Sequence, residues 1–223
     1  MIRGVLLDFY GTVVDEDDEV IDAITRRIAA DQPERSPAEI AKMWGRAFSA
    51  ATASTIQTGF RLQRDLALGA LAQVLTELGS NLEAAQLCQP QLAHWRTAAL
   101  RPGSAEFLDA CPLPICVVSN IDTEDLNAVV AFHHLDLPVR ITSQDVRSYK
   151  PQPEIFHAAL NRLGLAAADV LHVGDSLTSD VAGAGALGIP VAWVNRHARS
   201  RPSHASIDYE ISDLRELLPT LGH

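Results

Sequence analysis

Four short apolar runs organise the chain, and each stops at residues suited to a turn. Residues 3–7 (Arg-Gly-Val-Leu-Leu) run into Asp8 and Gly11-Thr12, Pro114–Val118 into Ser119-Asn120, Val170–Val173 into Gly174-Asp175, and Val191–Val194 into Asn195-Arg196. Runs this short, apolar without alternation, are the mark of strands covered on both faces. Helical spacing fills the intervals at Thr123–Phe132, Glu154–Leu163 and Ser179–Leu187. The alternation predicts an α/β protein with a doubly wound, Rossmann-like parallel sheet, in which ligands bind at the carboxyl ends of the strands. A final short strand, Tyr209–Ile211, and a closing helix complete the expected core.

Residues 16–99 depart from this alternation. They carry helical patterns at Glu19–Ala30, Pro37–Ala53, Leu62–Leu78 and Leu82–Leu100, with no strand-like run. Ser36-Pro37-Ala38-Glu39 reads as an N-cap, a proline at the first helical position and an acidic first turn. The organisation expected is a core of 1–15 and 100–223 with an α-helical cap, 16–99, inserted after the first strand.

Composition narrows the function. A net charge of −10 disfavours a general nucleic-acid surface, which needs clustered cations, so a small-molecule substrate is expected. The longest apolar stretches fall short of the roughly 20 residues of a membrane span, and the first meets Asp8 too soon for a signal-peptide core. A cytoplasmic monomer or homodimer, without nucleic-acid or membrane partners, is the expectation. Cys88, Cys111 and Cys116 form no CxxC pair and read as reduced, mostly buried thiols.

Candidate chemistry sits at the strand ends. Asp8, before a glycine and a hydroxyl residue in Asp8-Phe9-Tyr10-Gly11-Thr12, suits either a nucleophile at the sheet edge or an acid capping a turn. Ser119 and Asn120 offer donors for phosphoryl or carboxylate oxygens, and are equally ordinary turn residues. Lysine occurs only as Lys42 and Lys150 among 18 basic residues, so Lys150 marks a place where a compact point charge suits better than a planar fork. Asp175 and Asp180, in Gly174-Asp175-Ser176-Leu177-Thr178-Ser179-Asp180, can converge on a hard cation such as Mg²⁺, although Asp180 also suits a helix first turn.

In this order the four motifs resemble the haloacid dehalogenase superfamily, and the helical insertion is similar to the small cap that the family places after its first motif. The resemblance implies that Asp8 attacks the substrate to form a covalent aspartyl intermediate, later hydrolysed by water. It also implies that Thr12 and Ser119, with Asn120 beside them, bind substrate oxygens and that Lys150 holds the Asp8 charge and the substrate. Mg²⁺ would be held by Asp8, the Tyr10 backbone carbonyl and Asp175, with Asp180 acting through a water or from behind the direct ligands.

Position 10 departs from the family phosphatases, which carry an aspartate there as general acid and base. Tyr10 can donate a proton, but with an ordinary pKa near ~10 it is a poor base at neutral pH. The 2-haloacid dehalogenases of the superfamily resemble this chain at that position, since halide leaves without a proton. They work without metal, however, and lack the Gly-Asp-Ser carboxylate. A Mg²⁺-dependent phosphatase acting on a small anionic metabolite is therefore the first expectation. A metal-independent dehalogenase is the alternative, and a weakly active binding or regulatory member the third. Arg46, beside Trp44, is a candidate in the cap for an anionic group, and His94 for an acid. Trp44, Phe48 and Phe60 are candidates to line the substrate pocket.

Overall fold

The computed structural model describes residues 1–55, 59–203 and 205–222. Six parallel strands, β1 (Gly4–Leu7), β2 (Ile115–Ser119), β3 (Arg140–Thr142), β4 (Val170–Gly174), β5 (Val191–Val194) and β6 (Tyr209–Ile211), form one sheet in the order β3-β2-β1-β4-β5-β6. The central strand is β1, with Leu6 between Cys116 on one side and His172 on the other. The expected doubly wound sheet is thus present. Strand β3 went unread because it has only three residues, preceded by Pro138.

The helices are α1 (Asp18–Asp31), α2 (Pro37–Ala53), α3 (Gln63–Glu77), α4 (Ala84–Leu87), α5 (Gln89–Thr97), α6 (Ser104–Ala110), α7 (Thr123–Phe132), α8 (Ser143–Val146), α9 (Pro153–Leu163), α10 (Ala182–Ala186) and α11 (Leu218–Leu221). Among the described residues, none is long and apolar enough to cross a membrane. The single helix expected over Leu82–Leu100 is instead two, because Cys88 ends α4 and Pro90, which lacks an N–H, falls in the first turn of α5.

The chain divides into two compact units. The first comprises Met1–Asp15, Ala99–Asn120 and His133–His223, and contains the sheet. Its core packs Leu6, Cys116, Val118, Phe156, Val191 and Trp193, all buried. Burial pushes the Cys116 thiol up to about 12, as for an inert apolar side chain.

The second comprises Glu16–Ala98 and Ile121–Phe132, and among its described residues the regular elements are helices. Its core is separate: Ile24, Ile28, Ile40, Trp44, Leu71, Val74 and Cys88. Helix α2 starts as its sequence predicts, with the Glu39 N–H donating to Ser36 Oγ at 3.3 Å and the Ser36 N–H to Glu39 Oε2 at 2.9 Å. Helix α3 has no side-chain cap of its own at Leu62. Asp122 supplies one from a distant part of the sequence, accepting from the backbone N–H groups of Gln63 (2.8 Å) and Arg64 (3.1 Å). That cap ties Ile121–Phe132, and with it α7, to the helical unit.

Candidate active site

Asp8 follows β1 directly, and its N–H continues the ladder by donating to Val173 O at 2.9 Å. The chain then turns sharply: Phe9 O accepts from the N–H groups of Thr12, Val13 and Val14, and Gly11 has φ +86°, which glycine adopts without strain. This turn returns the buried Thr12 hydroxyl to the nucleophile candidate, where it donates to Asp8 Oδ2 at 2.9 Å. Tyr10 lies on the same turn, partly exposed, with its ring edge-on to Phe9 at 5.6 Å.

Lys150 is held from both ends. Asn120, just after β2, receives the Lys150 N–H at its Oδ1 (2.7 Å) and donates from Nδ2 to the Lys150 carbonyl (3.1 Å), so both ends of its amide position that residue. The Lys150 Nζ then donates to Asp8 Oδ1 (2.6 Å), Asp180 Oδ1 (2.7 Å) and Val118 O (2.9 Å). Three ammonium hydrogens meet three acceptors, which a buried ammonium requires. Ser119 ends β2 in the buried layer beside them.

After β4 the chain forms a π-helical turn, Leu177–Val181, where a regular helix beginning at Ser179 was expected. Ser176 caps it, accepting the Ser179 N–H at 3.1 Å. The wider turn sets Asp180 inward, 1% exposed, with Oδ1 also against His172 Nε2 at 2.9 Å and Oδ2 accepting the Ser176 N–H at 3.0 Å. Because a carboxylate only accepts, His172 Nε2 carries the proton in this pair. Gly174 is required here, since a Cβ at that position would collide with the Asp180 side chain. Asp175 stands between, its carbonyl fixed by Trp193 Nε1 (2.9 Å) and Arg199 Nη2 (2.6 Å).

Electrostatics follow from this packing. Burial alone would lower the Lys150 ammonium, but Asp180 and Asp8 outweigh it and hold it above the ordinary lysine value. Burial likewise opposes ionisation of Asp180, yet the Lys150 charge and the hydrogen bonds from His172 and Lys150 carry it below the usual carboxylate range. For Asp8, burial wins with help from Asp180 against Lys150 and Thr12, and its carboxyl is raised.

One oxygen from each of Asp8, Asp175 and Asp180 lies within 4.8 Å of the others. Oxygens this close can converge on a hard cation such as Mg²⁺, which takes oxygen donors at about 2.1 Å and keeps several waters.

The structure thus gathers Asp8, Tyr10, Thr12, Ser119, Asn120, Lys150, Asp175 and Asp180 in the sheet-bearing unit. Arg46 belongs to the helical unit, on α2, exposed, with its Nε donating to Lys42 O at 3.3 Å. His94 belongs there too, on α5. The residue not anticipated is His172. Its signal was a polar side chain in the middle of an otherwise apolar buried strand, where a polar group needs a partner.

A parallel sheet with a buried Asp-Lys-Asp network at its carboxyl edge defines a Rossmann-like α/β protein with a candidate acid-centred site. Residues 2–188 match the family model of haloacid dehalogenase-like hydrolases, and the chain belongs to that family. It is similar to phosphoserine phosphatase of Thermus thermophilus, 35% identical over 45% of this chain and 39% of that protein. It is also similar to (S)-2-haloacid dehalogenase of Pseudomonas putida, 25% identical over 87% of this chain and 85% of that one. The fold superposes on the L-2-haloacid dehalogenase structure from Xanthobacter autotrophicus with TM-score 0.79 at 22% identity, covering 100% and 99% of the two chains. For several curated relatives the match spans less than two thirds of their length.

Proposed function

We propose that this hydrolase is a Mg²⁺-dependent phosphatase acting on a small phosphorylated metabolite through an aspartyl intermediate. The observation that carries the proposal is the oxygen triad of Asp8, Asp175 and Asp180 beside a single buried lysine. Asp8, the Tyr10 backbone carbonyl and Asp175 would hold the ion directly, and Asp180, both of whose oxygens already accept protein hydrogen bonds, through a water. Magnesium, when bound, supplies positive charge that lets a carboxylate approach an anionic phosphoryl group.

Asp8 attacks phosphorus while Lys150 neutralises part of the accumulated charge, and the bond to the leaving oxygen breaks. Tyr10 is suited to protonate that oxygen but poorly suited to activate the water that later hydrolyses the aspartyl phosphate. Substrates with good leaving groups are therefore favoured. Placing a carboxylate at this position, Tyr10→Asp, should raise phosphatase turnover toward the ~10²–10⁴-fold range of general acid–base catalysis. An unchanged rate would show that the missing acid is not limiting. Calorimetric titration of Mg²⁺ should show one site in the wild type and at least about tenfold weaker binding in Asp175→Asn, and equal binding by the two would remove the metal from the proposal.

The second reading is a 2-haloacid dehalogenase, favoured by Tyr10 and by the long match to the Pseudomonas putida enzyme. There Asp8 displaces halide from carbon, forming an ester, and no proton is needed for the leaving group.

A further inference from the structure

Within the helical unit, α1, α2, α3 and α5 and the residues leading into them line a half-open cavity of about 190 Å³, whose lining includes none of the residues of the Asp8 site. Trp44, Phe48 and Trp95 provide aromatic walls, Gly45 leaves space on α2, and Asp17 and Gln91 supply polar groups. Asp17 Oδ2 accepts from Gln91 Nε2 and from Trp95 Nε1, each at 2.8 Å. Those contacts fix the Gln91 amide, since the reverse orientation would set its oxygen against a carboxylate. Its Oε1 is buried and, among the described residues, has no hydrogen-bond partner, although Gln91 is only 5% exposed.

We propose that this cavity binds a protonated amine carried on a compact apolar or aromatic body. The donors already on Asp17 are neutral N–H groups, so its negative charge is oriented but not cancelled. Gln91 Oε1 calls for a donor, because a buried carbonyl without one is costly. An ammonium satisfies both the Asp17 carboxylate and Gln91 Oε1, and a lining with three aromatic side chains is better suited to a cation than to an anion. The volume suits the body: an apolar protein cavity of about 150 Å³ accommodates benzene. The site is independent of whether Asp8 attacks phosphorus or carbon.

Two of the chain's three tryptophans line the cavity, so occupancy is read by intrinsic fluorescence. Benzylamine titrated into the full chain at neutral pH should give a saturable change, and benzoate none. Asp17→Asn retains an oxygen for Gln91 and Trp95, and should weaken benzylamine by about tenfold or more while leaving benzyl alcohol nearly unaffected. Gly45→Leu should abolish binding by filling the space. A Cβ at Gly45 meets no atom within 4 Å, and replacing a helical glycine favours the helix, so this variant should melt no lower than the wild type. Competitive inhibition of p-nitrophenyl phosphate hydrolysis by benzylamine would show that amine and substrate exclude one another, and an unchanged KM that they bind independently, with the site upheld in both cases. No saturable signal with benzylamine, equal binding of benzoate, or wild-type affinity in folded Gly45→Leu would overturn the proposal.

Discussion

Each unit of this protein contains a cation between two carboxylates, and the two clusters are built for different tasks. In the sheet-bearing unit Lys150 joins Asp8 and Asp180, with its side chain 2% exposed. In the helical unit Arg64 joins Asp122 at 3.0 Å and Asp125 at 3.2 Å, with its side chain 31% exposed. Arginine spreads its charge over a planar fork that spans neighbouring acids, while the Asp122 carboxylate caps α3 through two backbone N–H groups. Lysine concentrates its charge at one nitrogen, whose three hydrogens fix it beside Asp8. The arginine cluster caps the start of α3, and the lysine cluster holds a charge against the candidate nucleophile Asp8.

The sharpest way to break this contrast is to remove both cations. Lys150→Met leaves Asp8 and Asp180 buried without their shared partner, which should cost about 3–5 kcal/mol of stability and at least about 10²-fold in turnover. Arg64→Ala leaves Asp122 with both of its backbone donors and Asp125 with Arg96 nearby, so it should cost less, about 1–3 kcal/mol. Urea denaturation of the two variants measures the difference, and similar losses would show that the clusters are equivalent supports.

A smaller effect separates the two carboxylates around Lys150. Asp180 is held below its unfolded value, so its contribution to stability is present above pH about 4 and lost as pH falls through the folded value. Asp8 is raised and has the opposite sign, its ionisation above pH about 4 opposing folding. Below pH about 4, stability of Asp180→Asn should fall less steeply with acid than that of the wild type. Parallel acid limbs would contradict the assignment.

The same contrast explains what the sequence could disclose. Strands β1, β2, β4 and β5 were legible because a sheet covered on both faces demands continuous apolar runs, and their polar endings marked Asp8, Ser119 and Asp175. Lys150 stood out because the chain otherwise uses arginine. The Asp122 cap was not legible, since 59 residues separate it from Gln63 and only folding brings them together. Nor was the π-helical turn that sets Asp180 inward, because a widened turn leaves the helical pattern of Leu177–Leu187 almost unchanged. Asn120 was marked as a substrate contact, but its pairing with the Lys150 backbone depends on how β2 lies beside the segment before α9.

The central claim is that the acids at the strand ends form a metal-dependent phosphatase centre despite Tyr10. It is tested most directly by assaying p-nitrophenyl phosphate and 2-chloropropionate in parallel, with Mg²⁺ and with EDTA. Phosphate release that requires Mg²⁺, without chloride release, is the expected result. Chloride release that persists in EDTA would contradict the account and make the protein a dehalogenase.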